Sequence, residues 1–246
     1  MSQITCIVQA RMGSKRLPGK VLKPINGIPM LQYQLTRLRQ LNNVRVIVAT
    51  SDTQTDDALA EYCAMNSHEV YRGDENNVLK RFYDLSNKLN LKPEDRIIRL
   101  TGDCPLVCAD LIAQLVDAQV NQSNQYGRID TDYFPRGVDA ELFTYEMLIS
   151  AFKNASSEYE CEHVTPYFYQ SGKYSIVKLN NSLGNHSHYR LCVDEPSDHQ
   201  CVSAVISELG DAWADANYQD IISVLLNKPA LAKLNQSVIQ KITHMH

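Results

Sequence analysis

Residues 9–20 read Gln-Ala-Arg-Met-Gly-Ser-Lys-Arg-Leu-Pro-Gly-Lys, and they follow an apolar run, Ile4–Val8, that predicts a buried β-strand. This stretch, called the basic loop below, carries four cations: Arg11, Lys15, Arg16 and Lys20. Open α/β sheets bind their ligands beyond the carboxyl ends of the strands. Backbone N–H groups and cationic side chains at such a place suit a polyphosphate. The loop therefore predicts an α/β sheet with a phosphate site after its first strand.

A solvated basic turn and a Walker A loop are the alternatives for this stretch. The Walker A motif has four residues between its first glycine and its Gly-Lys pair, whereas five separate Gly13 from Gly19. Val21 stands where Ser or Thr would bind magnesium. Both departures argue against a Walker A loop.

Length, composition and charge restrict the class of protein. A chain of 246 residues with 44% hydrophobic content fits a globular protein with a substantial core. Its formal net charge of −4 does not favour nucleic acid, so anion binding must be local. Seven scattered cysteines indicate reduced thiols and a cytoplasmic protein. No apolar run approaches the ~18 residues of a membrane span, so we expect no membrane association.

Strands and helices alternate over the first 120 residues, as in a mostly parallel sheet that is covered by helices on both faces. The predicted strands are Ile4–Val8, Val44–Ala49, Glu69–Tyr71 and Arg96–Leu100. The predicted helices are Met30–Gln40, Asp56–Met65, Glu75–Leu89 and Ala109–Val120.

The second half of the chain is less regular. Its predicted strands are Tyr126–Asp132 and Val138–Phe143, an antiparallel pair, together with Tyr174–Leu179 and Tyr189–Val193. Its predicted helices are Glu146–Phe152, Glu160–Gln170 and Pro196–Leu209. We predict a single domain over residues 1–246, ending in a helical tail from about 218 to 246.

Two aspartates follow predicted strands and are candidate metal ligands. Asp103 comes just after Arg96–Leu100, and Asp194 comes just after Tyr189–Val193. Either residue alone is equally well explained as a turn or helix-capping aspartate. Mg²⁺ prefers one or two carboxylates together with water and substrate phosphate. The two aspartates and the basic loop therefore predict a magnesium–triphosphate site.

Other candidate sites have weaker support. Asp130-Thr131-Asp132 is a D-x-D sequence of the kind with which glycosyltransferases hold metal. Cys104, Cys108, Cys161 and His163 lack the compact spacing of a structural zinc site. His186 and His188 alternate, so we expect them to share one face of a strand at the surface.

Several motifs resemble those of a known family. The loop Ala10–Lys20 resembles the signature of the nucleotide-sugar cytidylyltransferases, which include the acylneuraminate and 3-deoxy-manno-octulosonate enzymes. Thr101–Leu106 and Val193–Asp198 resemble the family's two metal-aspartate motifs. The remaining motifs resemble the SpsF-type branch of spore coat polysaccharide biosynthesis: Tyr71–Asp74 with Val78–Arg81, Pro135–Glu141 and Glu162–Tyr167.

The resemblance implies a fold and a set of residue roles. The fold is the nucleotide-diphospho-sugar transferase fold, a Rossmann-like, glycosyltransferase-A type, three-layer α/β/α arrangement with a mixed sheet. The implied catalytic residues are Arg11, Lys20 and Asp103, and the implied metal ligands are Asp103 and Asp194. The implied nucleotide-binding residues are Ala10, Arg11, Met12, Gly13, Ser14, Arg16, Lys20, Arg72 and Arg81. The implied sugar-binding residues are Arg136, Asp139 and Glu141.

The resemblance also implies a reaction. CTP and an acidic sugar would give a CMP-sugar and pyrophosphate with Mg²⁺ as cofactor, in an enzyme that is usually a homodimer. The acceptor stays open between several ulosonic acids and a phosphorylated compound. Two alternatives stay open as well: a glycosyltransferase that uses Asp130 and Asp132, and a catalytically silent nucleotide-binding member.

Overall fold

The computed structural model of the protein describes residues 3–119 and 125–240. Strands and helices are numbered in chain order within these ranges. The strands are β1 (Ile4–Gln9), β2 (Pro24–Ile25), β3 (Ile28–Pro29), β4 (Val44–Ser51), β5 (Glu69–Gly73), β6 (Arg96–Thr101), β7 (Gln125–Ile129), β8 (Glu141–Thr144) and β9 (Ser175–Leu179). The α-helices are α1 (Met30–Leu38), α2 (Asp57–Met65), α3 (Val78–Lys88), α4 (Ala109–Ala118), α5 (Tyr145–Asn154), α6 (Glu158–His163), α7 (Pro166–Gln170), α8 (Pro196–Leu209), α9 (Tyr218–Asn227) and α10 (Pro229–Ala232).

Seven strands of the described chain form one mixed sheet in the order β5-β4-β1-β6-β8-β7-β9. The neighbours β5, β4, β1 and β6 are parallel. β8 runs antiparallel to both β6 and β7, while β9 is parallel to β7. The predicted α/β class with a mostly parallel sheet is confirmed, and so is the antiparallel pair in the second half.

The register brings the loops of the site to one edge of the sheet. Gln9 pairs with Ala49 on one side and with Thr101 on the other, so the loops after β1, β4 and β6 begin side by side. Because β8 runs in the opposite sense, its first residue, Glu141, lies at the same edge, opposite Arg99.

Apolar side chains alternate along the central strands, so that the sheet has a core on each face. Cys6 and Val8 of β1 pack on one face in the cluster that includes buried residues of α1, α4, α8 and α9. Ile7 packs on the other face with residues of α3, α5 and α7. These two layers of helices around the sheet give the α/β/α arrangement that the resemblance implied.

Two predicted elements are wrong. Tyr189–Val193 is not a strand, because its only β-type pairing within the described ranges is an isolated bridge between Arg190 and Arg136. The predicted helix Glu160–Gln170 is interrupted between α6 and α7, where Val164 has a positive φ of 69°. A β-branched residue rarely adopts this conformation.

At the C-terminal end, α9 and α10 lie in the predicted tail, and residues 241–246 are outside the described ranges. Val120, the last residue of the predicted helix Ala109–Val120, is outside them as well. None of the helices in the described ranges combines the length and apolar character needed to cross a bilayer. All seven cysteines are free thiols.

Candidate active site

The basic loop turns back on itself directly after β1. The carbonyl oxygen of Met12 accepts hydrogen bonds from the N–H groups of Ser14 at 2.8 Å and Gly19 at 3.0 Å. Gly19 has a φ of 66°, which favours glycine, and a short 3₁₀-helix, Lys20–Leu22, begins just after it. The turn brings Lys20 back toward the edge of the sheet, where it is buried.

Asp56 fixes the start of this loop. Its carboxylate accepts hydrogen bonds from the N–H of Met12 at 2.7 Å, from the N–H and hydroxyl of Ser51, and from the hydroxyl of Thr50. Burial alone would raise the pKa of Asp56, but the hydrogen bonds from Ser51, Met12 and Thr50 outweigh it and lower the pKa. An ionised, buried aspartate therefore holds the loops after β1 and β4 together.

Asp103 leaves the sheet through a close backbone contact. The N–H of Gly102 donates to the carbonyl of Gln9 at 2.8 Å. A Cβ on Gly102 would lie 2.7 Å from the Cβ of Ala10, so a side chain there would push the two loops apart. Ala10 itself is buried. The small residues at these two positions let Asp103 lie beside the basic loop.

Residues 189–195, the Asp194 loop, reach the same place although they form no strand. The N–H of Val193 donates to the carbonyl of Asp103 at 2.8 Å, which joins this loop to the end of β6. The fully buried Asp198 of α8 accepts hydrogen bonds from the N–H groups of Asp194 and Glu195. Asp198 also accepts from the side chains of Arg190 and Asn235. The N-terminal turn of α8 thus fixes the position of Asp194.

Lys20 lies between the two candidate metal ligands. Its Nζ is 2.8 Å from Oδ2 of Asp103 and 2.8 Å from Oδ1 of Asp194. Burial lowers the pKa of Lys20, but the two carboxylates raise it by more, so that its pKa lies above the ordinary value. Burial likewise raises the pKa of Asp103, and Lys20 lowers it by more. The carboxylate of Asp103 and the ammonium of Lys20 are therefore both charged at neutral pH.

Two arginines hold the other oxygen of Asp194. Oδ2 lies 2.6 Å from Arg190 and 3.0 Å from Arg16. Arg16 also donates to Glu195 at 2.8 Å. Two cations of the basic loop, Arg16 and Lys20, thus contact the Asp194 loop.

The pair of carboxylates fits a divalent cation of the magnesium type. One oxygen of each carboxylate lies 2.8 Å from the same nitrogen, so both carboxylates face one point. The described residues contain no group of three or more His, Cys, Asp or Glu side chains that could hold a metal ion. This does not conflict with Mg²⁺, which takes one or two carboxylates and completes its shell with water and substrate phosphate.

The arginines among the remaining predicted nucleotide-binding residues make contacts outside the cluster of Lys20, Asp103 and Asp194. Arg11 is half-exposed, 3.8 Å from Glu162, and Gly13 is exposed. Arg72 donates to the carbonyls of Ser51 and Thr53. Arg81 is buried and donates to the carbonyls of Asp74 and Glu75, so that its guanidinium holds the loop before α3.

The three predicted sugar-binding residues have different surroundings. Arg136 is exposed, and its carbonyl accepts a hydrogen bond from Leu191. Asp139 accepts a hydrogen bond from the N–H of Gly137 at 2.6 Å, and burial raises its pKa.

Glu141, the third of these residues, lies in a polar network on one face of the sheet. It pairs with Arg99 and accepts hydrogen bonds from Tyr126 and from Thr165, the latter at 2.7 Å. Arg99 also reaches Gln9 at 3.0 Å. The network joins β8 to the strand that precedes the basic loop.

The D-x-D sequence lies in a different setting. Asp130 is buried, 2.6 Å from Lys178 and 3.3 Å from Arg128, so that it joins the ends of β7 and β9. These contacts of Asp130 give the glycosyltransferase alternative no support.

The prediction for His186 is wrong. This histidine is buried in a loop and contacts the hydroxyl of Tyr218 at 2.9 Å.

Asp56, Arg190 and Asp198 support the site and were missed by the sequence reasoning. Asp198 stands four residues after Asp194, in a segment already quoted for its resemblance, and Arg190 stands four residues before it. Asp198 caps α8 and Arg190 lies four residues from Asp194, so local spacing could have pointed to both. The partner of Asp56, the N–H of Met12, is 44 residues away and is not revealed by the sequence.

Known proteins resemble this chain, some over most of its length and others over about half of it. A family model described as cytidylyltransferase matches residues 5–209. The spore coat polysaccharide biosynthesis protein SpsF of Bacillus subtilis is 33% identical over 241 residues, 94% of this chain and 98% of its own. The 3-deoxy-manno-octulosonate cytidylyltransferase of Marinobacter nauticus is 36% identical over 115 residues, which span 46% of this chain and 42% of that protein.

A solved cytidylyltransferase structure from Leptospira borgpetersenii superposes on this fold with a TM-score of 0.88. It is 31% identical in sequence, and the match covers 98% of this chain and 100% of that one. Fold, motifs and the family match agree with the resemblance noted in the sequence, and the chain belongs to the cytidylyltransferase family.

Proposed function

We propose that this protein couples CTP to an acidic sugar, giving a CMP-sugar and pyrophosphate for surface polysaccharide or glycan assembly. The observation that carries the proposal is the contact of Lys20 with both Asp103 and Asp194, at 2.8 Å each. Such a cluster, beside a loop with further cations, suits the transfer of a charged nucleotidyl group. Membership of the cytidylyltransferase family supports CTP as the nucleotide.

The reaction requires little covalent chemistry from the side chains. A hydroxyl oxygen of the acceptor forms a bond to the α-phosphorus of CTP, and the bond from that phosphorus to the oxygen of the β-phosphate breaks. Pyrophosphate leaves with the electron pair of the broken bond, and the acceptor hydroxyl loses its proton to solvent or a nearby base. Arg11, Arg16 and Lys20 would bind the triphosphate and stabilise the charge that develops on its oxygens.

Asp103 and Asp194 would hold Mg²⁺. When bound, the ion supplies positive charge to phosphate oxygens and helps to orient them. The chain's own part is to fix the two carboxylates, through Asp198 and the backbone contact between Val193 and Asp103. Dimerisation and a cytoplasmic location stay predictions of the sequence.

The acidic sugar is supported by a relative and by the charge of the site. The partial match from Marinobacter nauticus is named for an octulosonate, which is a sugar acid. Arg136, exposed at the turn beside Asp139, is available to a carboxylate or a phosphate. Asp139 and Glu141 would accept hydrogen bonds from sugar hydroxyls.

The test is a measurement of pyrophosphate release by the purified chain. It is mixed with Mg²⁺, CTP and a panel of acceptors: neuraminic, legionaminic, pseudaminic and octulosonic acids, and sugar phosphates. We expect release with CTP and one sugar acid, and much less with ATP, GTP or UTP. Release with a sugar phosphate alone would show that the acceptor class is wrong. No release with any acceptor would contradict the reaction as a whole.

Two variants test the residues. Asp103→Asn would weaken the metal site, and Lys20→Ala would remove a cation that is proposed to bind the phosphates. Each should therefore largely abolish turnover, a loss of roughly 2.7–4 kcal/mol in transition-state stabilisation. Circular dichroism checks that both variants keep the fold. Near-normal pyrophosphate release by a folded Asp103→Asn protein would count against the assignment.

A further inference from the structure

The ammonium of Lys20 occupies the position at which the proposed metal would lie. Its Nζ contacts one oxygen of Asp103 and one of Asp194 at the same distance, 2.8 Å. The side chain is only 11% exposed, so solvent competes little for these contacts. Lys20 thus neutralises the same two oxygens that a bridging divalent cation requires.

A divalent cation and this ammonium cannot share the position. Both seek the same oxygens, and two positive charges a few ångströms apart repel strongly where water is largely excluded. Asp194 is further compensated by Arg16 and Arg190, at 3.0 and 2.6 Å. A free metal ion would therefore meet a cluster whose negative charge is already balanced.

A triphosphate changes this balance because it brings several negative charges of its own. The basic loop that carries Lys20 also carries Arg11 and Lys15, both exposed. A lysine side chain has four rotatable carbon–carbon bonds and can exchange one anion for another without a change in the backbone. Phosphate oxygens bound by this loop lie within reach of the same ammonium.

We propose that Lys20 is a built-in counterion of the metal site and that a divalent cation binds only together with the nucleotide. The proposal rests on the proposed function for the identity of that nucleotide. The phosphates draw the Lys20 ammonium away from Asp103 and Asp194, and the metal of the incoming metal–nucleotide complex takes its place. Nucleotide and metal then bind cooperatively, because each removes a cost of binding the other.

The test measures binding of Mn²⁺, a paramagnetic substitute for Mg²⁺, to the protein without nucleotide, from the electron paramagnetic resonance signal of the free ion. Lys20→Met removes the ammonium and leaves both carboxylates, so this variant should bind Mn²⁺ at least about tenfold more tightly than the wild-type protein. Lys23→Met is the matched control. It removes an exposed positive charge at the end of the same 3₁₀-helix and should bind Mn²⁺ as the wild type does.

Equal or weaker binding of Mn²⁺ by folded Lys20→Met, compared with the wild type, would overturn the proposal. The same holds if Lys23→Met gains as much affinity as Lys20→Met, because the effect would then be one of net charge. If Lys20→Met does not fold, water-proton relaxation can measure Mn²⁺ binding to the wild-type protein with and without CTP. Mn²⁺ bound as tightly without CTP as with it would reject the counterion role.

Inorganic triphosphate separates this proposal from the proposed function. It carries the charge of the nucleotide without cytidine, and we expect it to recruit Mn²⁺ to the wild-type protein. Recruitment by triphosphate, with no pyrophosphate formed from CTP and any acceptor, would uphold the counterion and reject the reaction. If the wild-type protein binds Mn²⁺ tightly without nucleotide and also forms pyrophosphate, the reaction is upheld and the counterion role of Lys20 is rejected.

Discussion

At the scale of single residues, the carboxylates of the site differ in how their charge is compensated. Asp103 and Asp194 both contact Lys20 at 2.8 Å. Asp139 instead accepts a hydrogen bond from the N–H of Gly137, and burial leaves its pKa above the ordinary value of 3.8. A raised pKa means that the ionised form is less favourable in the folded than in the unfolded protein. Folding therefore disfavours the ionised form of Asp139 at neutral pH.

Asp139→Asn is expected to separate stability from activity. The amide keeps an acceptor for Gly137 and removes the buried charge, so that thermal unfolding should occur at the same or a higher temperature. Pyrophosphate release should fall at least about tenfold if Asp139 binds the sugar. Asp132→Asn is the control, because this side chain is 72% exposed, and it should change neither quantity. Normal turnover or a lower melting temperature in Asp139→Asn would contradict the role assigned to it.

At the scale of loops and strands, the basic loop depends on one buried carboxylate. Asp56→Ala should destabilise the protein by about 3 kcal/mol, because it leaves the donors of Met12, Ser51 and Thr50 unsatisfied. The KM for CTP should rise as the loop loosens. Urea unfolding and steady-state kinetics measure the two effects.

The neighbouring Asp57 offers the control for this prediction. Its carboxylate is 46% exposed and pairs with Arg72 at 2.7 Å. A half-exposed ion pair contributes about 0–1 kcal/mol, so Asp57→Ala should have a much smaller effect on stability. Equal losses of stability in the two variants would show that Asp56 does not fix the loop in the manner described.

A second close contact between loops lies where the turn at Gly137 packs against the Asp194 loop. Gly137 has a φ of 106°, and a Cβ there would lie 2.3 Å from the carbonyl carbon of Leu191 and 2.4 Å from the backbone nitrogen of Cys192. Gly137→Ala should therefore cost about 3 kcal/mol or more, from strain and from displaced backbone. Because the displaced loop carries Asp194, turnover should fall as well.

Gly172→Ala separates the two effects expected in Gly137→Ala, the steric clash of the new Cβ and the strain of a positive φ. Gly172 also has a positive φ, 69°, but a Cβ there would have no atom within 4 Å. Only the conformational cost of about 1 kcal/mol should remain. Guanidinium unfolding of the two variants should give clearly different midpoints, and matching midpoints would show that the backbone at Leu191 yields without cost.

The elements show what the sequence could and could not predict. Runs of apolar residues identified β1, β4 and β6 because these strands lie in the core of the sheet. The same signal misassigned Tyr189–Val193, since Leu191 and Val193 are buried by the turn at Gly137 and the loop at Asp103 rather than by strand pairing. Apolar residues indicate burial, whereas a strand also requires a partner backbone at the right register.

The residues of the candidate site also differ in whether the sequence could reveal them. The strand end after β6 marked Asp103 and the charge of the basic loop marked Lys20, whereas Asp194 was chosen as the end of a strand that the structure does not contain. The resemblance supplied the roles of all three.

Asp56 could not be predicted, because it binds the N–H of Met12, 44 residues away, which only the folded chain brings to it. Asp198 is a local helix cap, and its sequence position three residues after Glu195 could have revealed it.

At the scale of the whole molecule, Lys20 joins three distant parts of the chain. It lies 83 residues from Asp103 and 174 residues from Asp194 along the sequence. The parallel direction of β1 and β6 brings the first two together, and the cap of α8 brings the third. The contacts that form the proposed metal site therefore also stabilise the packing of the first and last segments of the described fold.

This double role predicts a pH dependence of stability. The pKa of Asp103 is lowered below 3.8 in the folded protein, so its contribution to stability is present above the unfolded value and is lost as the pH falls through the folded pKa. The pKa of Lys20 is raised above 10.5, so its contribution is present below that value and is lost as the pH rises through the folded pKa. Between these limits the bridge is intact.

Lys20→Met should lower the free energy of unfolding by about 3 kcal/mol at pH 7, because it breaks a largely buried ion pair. In urea titrations at decreasing pH, the difference between wild type and variant should shrink below pH 3.8, where the wild-type protein loses the charge of Asp103. Lys23→Met again provides the control and should follow the wild type throughout. A difference that stays constant from pH 7 to pH 3 would mean that Lys20 stabilises the fold by packing and not through the charge of its partners.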